Sequence, residues 1–180
     1  MKEPLNVKKE IWEWVKIILV AAAIAFVLNT FIIANSRVPS GSMENTIMTG
    51  DRIIGSRLSY RFGDPERGDI VIFDHVSGPG KAKTRFVKRI IGLPGETVDI
   101  MNGHVYIGGN AEVPLDEPYI REDMKEEVLH FEVPENCYFM MGDNRNHSAD
   151  ARYWQDHYVP RDKIVAKVMF RYFPGIKKLK

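Results

Sequence analysis

The stretch from Ile17 to Ala34 is apolar almost without interruption, broken only by Asn29 and Thr30, and no other feature restricts the fold so severely. From Ile17 to Leu28 there is no polar side, so a helix here has no face to offer water. A bilayer-spanning helix needs about 20 apolar residues, a length that residues 17–34 supply. Trp12 and Trp14 fall where an interfacial aromatic belt would lie, and Lys16 can reach out to the same interface. A buried core helix is the competing reading. A removable leader is another, because Ala34-Asn35-Ser36 sets small residues where cleavage could occur, although the apolar run exceeds the ~7–15 residues usual for such a leader. The expectation is a retained transmembrane anchor over 17–34. Lys2, Lys8, Lys9 and Lys16 precede or open the segment, against Arg37 and Arg52 after it. That excess predicts a cytoplasmic tail over residues 1–16 and an extracytoplasmic domain over 35–180.

Composition narrows what this outer part can be. A chain of 180 residues has room for one domain besides the anchor. Its 25 basic and 24 acidic residues leave a formal charge of +1, so no field of one sign would draw in nucleic acid, and none is expected as a partner. The single cysteine, Cys137, excludes an internal disulfide and a cysteine-built zinc site. Beside Tyr138 it reads as a core thiol in a strand rather than a reactive one.

After Asn35 the pattern is strand-like. The runs 69–73, 85–91 and 163–170 are rich in β-branched and aromatic residues and are separated by turn signals. Within 99–106 the pair Asn102-Gly103 predicts a tight type I′ hairpin, because both residues accept positive φ. No helical periodicity of any length follows the anchor, so the domain is mainly β. The charged stretch Glu122 to Glu127 reads as a solvated loop or turn.

Three groups of residues could carry chemistry. In Pro39-Ser40-Gly41-Ser42-Met43, just past the anchor, a serine could attack a carbonyl while backbone N–H groups converging near Gly41 stabilise the oxyanion. Ser40-Gly41-Ser42 also reads as an ordinary flexible linker. A serine nucleophile needs a base, and among His75, His104, His130, His147 and His157 only His147 lies in a polar loop, 142–148, that could hold a Ser-His-Asp member. Lys88 is the alternative base. Period 2 puts it on one strand face with Phe86 and Ile90, where desolvation disfavours the ammonium. Bringing its pKa from about 10.4 to neutrality costs about 4 kcal/mol of burial. The bland reading keeps Lys88 as a surface lysine with a buried stem.

Taken together, these blocks resemble the type I signal peptidases, membrane-bound Ser/Lys proteases of the S26 group. The likeness runs over nearly the whole chain: one N-terminal anchor, residues 39–43, Gly50-Asp51, residues 67–71, residues 88–96 and residues 141–145 running on to 148–154. The resemblance implies an antiparallel β-sheet catalytic domain with a short variable β region over 96–139. It assigns the nucleophile to Ser42 and the general base to Lys88. It places an oxyanion-hole hydroxyl at Ser40 beside the Ser42 N–H, and a base-orienting hydroxyl at Ser148. Asp143, Arg145, Asp150 and Arg152 become bracing residues joined by charge-assisted pairs. It further implies cleavage of exported preproteins after small residues at the first and third positions before the cut, no metal or organic cofactor, and as partners the plasma-membrane bilayer and the protein translocase. Two positions depart from the family's pattern: Asn45 stands where proline is common, and Gln155 where glycine is common. A self- or regulator-cleaving Ser/Lys protease, and a non-catalytic anchored β domain, are the rival readings.

Overall fold

The computed structural model describes residues 7–76, 80, 82–110, 112–125 and 127–179. The apolar run forms α1, Val7–Val27, prolonged by a π-helical turn over Leu28–Ile32. The helix starts ten residues before the apolar run because 7–16 is amphipathic and helix-prone, with Lys16 paired to Glu13 at 2.8 Å one turn away. Asn29, which interrupts the run, donates its amide to Ala25 O at 2.9 Å and so satisfies itself within the helix. No residue of α1 is buried, and the helix through Ile32 is long and apolar enough to cross a membrane. It stops two residues short of the apolar boundary at 34. Ile33 turns to extended backbone, and Ile33 and Ala34 pair with a neighbouring strand. Ala34 thus belongs to the β domain, 1% exposed in its core.

The described residues of that domain form eleven strands. These are β1 (Ile33–Arg37), β2 (Arg52–Ser56), β3 (Ile70–His75), β4 (Thr84–Gly92), β5 (Thr97–Met101), β6 (His104–Ile107), β7 (Leu129–Glu132), β8 (Cys137–Met141), β9 (Val159–Pro160), β10 (Ile164–Phe173) and β11 (Lys177–Lys178). The three runs picked from the sequence are the bodies of β3, β4 and β10. Every pairing is antiparallel. The large sheet runs β1-β2-β10-β3-β4-β8-β9, with β11 on β10. A three-stranded sheet, β6-β5-β7, falls within 96–139, where the variable β region was expected. Its β5–β6 hairpin turns through Asn102 at φ 52° and Gly103 at φ 76°, the positive pair of a type I′ turn. Residues 122–125 and 127 are irregular and mostly exposed, although Met124 points into the core; Glu126 lies outside the described residues.

Strand periodicity divides the interior in two. On β3, Val71 and Phe73 face a large core with Ile90, Ile91, Phe139, Met140 and Trp154. Ile70 and Ile72 face a smaller one with Ala34, Val38, Met43, Ile47 and Leu179. Cys137 packs half-buried at the edge of the large core, and burial raises its thiol pKa. Among the open edges of the described residues, two face each other. β4 pairs with β8 only from Arg89 onward, and β1 pairs only with β2. The unpaired half of β4 and the outer edge of β1 line opposite sides of one cleft.

Gly92, where β4 leaves the large sheet, has no room for a side chain. A Cβ there would lie 2.6 Å from Val98 Cγ2 and 3.0 Å from Phe139 Cβ. Gly92→Ala should destabilise the domain by about 1–3 kcal/mol, read as a thermal midpoint lowered by several degrees.

Candidate active site

Ser42 sits in a single 3-10 turn, Gly41–Met43, entered from extended Ser40. Apolar anchoring holds the turn: Met43 and Ile47 are 1% and 0% exposed in the smaller core, and the Ile47 N–H donates to Met43 O at 2.8 Å. The loop after β8 grips it from the other side. Asn144 donates its backbone N–H to Ser42 O at 3.1 Å and its side-chain amide to Gly41 O at 3.0 Å. No hydrogen bond engages the Ser42 N–H among the described residues, which leaves it available as a donor. Ser40 Oγ lies 3.5 Å from Ser42 Oγ.

Lys88 reaches this turn from β4. Its Nζ stands 2.5 Å from Ser42 Oγ, and the residue is 2% exposed. Phe86 lines the cleft beside it, as the shared face predicts, but the opposite face of β4 is covered too, by Arg89 at 2% exposure. Burial, the largest influence, lowers the Lys88 pKa to about 8. The Asp150 and Asp143 carboxylates push the other way, and the Arg152 guanidinium adds to the lowering. The histidine alternative finds no support in this geometry: His147 is exposed, with Nδ1 3.3 Å from Asn144 Oδ1.

The four predicted bracing residues are all buried. Asp150 pairs with Arg152 at 2.8 Å and accepts the Gly142 N–H at 3.0 Å. Asp143 instead takes both forks of Arg89, at 2.8 and 2.7 Å, and accepts the Thr46 hydroxyl at 2.5 Å. Arg145 grips Glu117 through both terminal nitrogens and donates Nε to Gly142 O at 3.0 Å. Thr46, Arg89, Asn144 and Glu117 were therefore missed. Arg89 could have been suspected from its place beside Lys88 in an otherwise apolar strand, but Glu117 carries no local signal. Ser148 is 6% exposed at the site, yet its Oγ has no hydrogen-bond partner among the described residues, so the expected bond orienting Lys88 is not formed in this state. Asn45 has φ 87°, which proline's ring forbids, so the departure from the family's proline accompanies a different local backbone. Gln155 lies exposed in a turn away from these contacts.

A cavity of about 200 Å³ opens beside the pair, lined by Ser36, Arg37, Ser40, Thr84 and Phe86 among others. Such a lining offers backbone edges on two sides and little room for large side chains.

Two consequences are measurable. A Cβ on Gly142 would come within 2.3 Å of both Ser148 Oγ and Ser42 O, so Gly142→Ala should displace the nucleophile turn and cut activity sharply while the far sheet stays folded. The lowered Lys88 pKa means that its charged form costs the native state about 3 kcal/mol. The native state binds fewer protons than the unfolded chain between pH ~8 and ~10.4, so this penalty is full below that window and fades as pH rises through it. Lys88→Met should therefore raise the denaturation midpoint at pH 7, with the advantage shrinking towards pH 10.

A family profile described as "Signal peptidase, peptidase S26" matches residues 11–173. A Synechocystis protein described as a probable signal peptidase I-2 is 41% identical over 162 residues, 88% of this chain and 72% of that one. Signal peptidase I of Bacillus licheniformis is 34% identical over 179 residues, covering 94% and 92%. A crystal structure of a signal peptidase I from Enterococcus faecalis aligns at 32% identity with a TM-score of 0.47, over 58% of this chain and 97% of that one. A profile match over most of the chain, and relatives this similar over most of their own length, establish that the protein belongs to the signal peptidase S26 family of membrane-anchored serine endopeptidases.

Proposed function

We propose that this protein removes signal peptides from exported preproteins with Ser42 as nucleophile and Lys88 as general base. The observation that carries the reading is the 2.5 Å contact between Lys88 Nζ and Ser42 Oγ, two buried side chains at the end of an open-edged cleft. An amine with a pKa of about 8 is neutral in a usable fraction of molecules near neutral pH. It takes the serine proton as Oγ attacks the scissile carbonyl, and later activates the water that hydrolyses the acyl-enzyme. The free Ser42 N–H and the Ser40 hydroxyl are the donors for the oxyanion.

The open edges of β1 and of Thr84–Lys88 suit an extended peptide laid between them as an added strand. The cleft's small volume favours small side chains at the first and third positions before the cut. Basic residues before the apolar run that begins at Ile17 orient the N-terminus to the cytoplasm and the β domain to the outer side of the plasma membrane, where preproteins leave the translocase. β1 begins at Ile33, directly after the helix, which keeps the cleft close to the bilayer from which a signal peptide emerges.

Detergent-solubilised enzyme and a peptide carrying Ala-x-Ala before the cut test the reading. Ser42→Ala, Lys88→Ala and Lys88→Arg should each abolish cleavage, because arginine stays protonated at any working pH, while His147→Ala should stay within about twofold of wild type. In wild type kcat/KM should rise with pH through a limb near pH 8, the base being inactive while protonated. A limb near pH 10, or a dead histidine variant beside active lysine variants, would remove Lys88 from the mechanism.

A further inference from the structure

The connection between β6 and β7 belongs to the small sheet's region, apart from the strands that carry the dyad, yet two of its side chains enter the charged scaffold of the site. The Arg89 guanidinium lies over the Tyr119 ring, 3.8 Å from its centroid. The Tyr119 hydroxyl donates to Glu117 Oε1 at 2.7 Å, and Glu117 Oε2 accepts Arg145 Nη1 at 2.9 Å. The Glu117 and Arg145 side chains are only 8% and 1% exposed. Two chains of contacts run from here to the nucleophile. One passes from the Tyr119 ring through Arg89 and Asp143 to Thr46, whose N–H donates to Met43 O at 3.1 Å. The other passes from Glu117 through Arg145 to the Gly142 carbonyl, and a Cβ on Gly142 would strike Ser42 O and Ser148 Oγ.

We infer that Glu117 and Tyr119 form a positioning clip that holds Arg89 and Arg145 in place, so that the small sheet's connection sets the geometry of the catalytic turn. A buried arginine is stabilised only while its forks and face are occupied, and a cation–π contact adds to that hold. Removing the ring leaves Arg89 one open side, which lets the Arg89–Asp143 pair tilt and carry Thr46 with it. Removing the Glu117 charge leaves Arg145 without its anion. Arg145 can then compete for Asp143 or Asp150, the carboxylates that also act on Lys88. Burial and the neighbouring Glu117 carboxylate raise the Tyr119 pKa, which keeps the phenol protonated and donating to Glu117.

This inference rests on the Ser42/Lys88 reading, so wild type and Ser42→Ala are measured alongside on the Ala-x-Ala peptide. Failure of wild type to cleave would sink that reading itself. With wild type active and Ser42→Ala inactive, the clip predicts that Tyr119→Leu lowers kcat by about tenfold or more while KM stays within about twofold. Tyr119→Phe, which keeps the ring, should retain most of the rate. Tyr119→Leu combined with Thr46→Val should lose little more than the worse single variant, because both interrupt one chain. Should Tyr119→Leu fail to accumulate as folded protein, Glu117→Gln takes its place, with kcat lowered, KM held and Glu117→Asp restoring part of the rate. A change in KM alone, a loss matching only the folded fraction, losses that multiply in the double variant, or Phe behaving no better than Leu would each overturn the clip.

Discussion

The desolvated amine of Lys88 is the constraint to which the rest of the site answers. A lysine held at 2% exposure cannot keep its usual proton affinity, and its pKa of about 8 follows first from burial. That burial takes structure on every side. Phe86 and Ile90 belong to the large core on one face of β4, and the Ser42 turn, held down by Met43 and Ile47 in the smaller core, closes over the amine. The site therefore lies where the two cores meet. The strand that supplies Lys88 is also the one whose unpaired half opens onto the cleft.

Two carboxylates so close to a lysine would normally stabilise its ammonium and undo the effect. Here each acid carries its own guanidinium: Asp143 holds Arg89 and Asp150 holds Arg152. The pairs can brace the turn and the Gly142 backbone while exerting only a muted pull on Lys88, because each approaches it as a near-neutral dipole. The arrangement is costly to disturb. Loss of one member of a buried pair leaves a charge with no partner, typically about 3–5 kcal/mol, so the scaffold resists partial rearrangement around the Ser42 turn.

Much of this was legible residue by residue. Asn102-Gly103 specified its hairpin because positive φ is a local preference, and the β3 and β4 runs announced themselves through β-branched and aromatic residues. Lys88 and Arg89 stood out as adjacent charges inside an otherwise apolar run. Other features were not local. Ala34 reads as the end of a membrane segment, yet pairing with Gly55 makes it part of a sheet. Asp143 and Arg145 stand two residues apart and invite pairing with each other, whereas they bind Arg89 and Glu117, 54 and 28 residues away.

By itself, then, the sequence determined a helix long and apolar enough to cross a membrane, the mainly β domain, the hairpin and, through family resemblance, a serine endopeptidase. These follow from hydrophobic runs, periodicity and motif blocks, which depend on neighbours along the chain. Only the tertiary structure decided where the helix hands over to β1, which arginine neutralises which carboxylate, that the Ser148 hydroxyl meets no partner among the described residues, and that Glu117 and Tyr119 reach the site. Each of these depends on which distant groups are left inside when the sheets close. A buried charge must take whatever partner lies within reach, and sequence spacing does not record that reach.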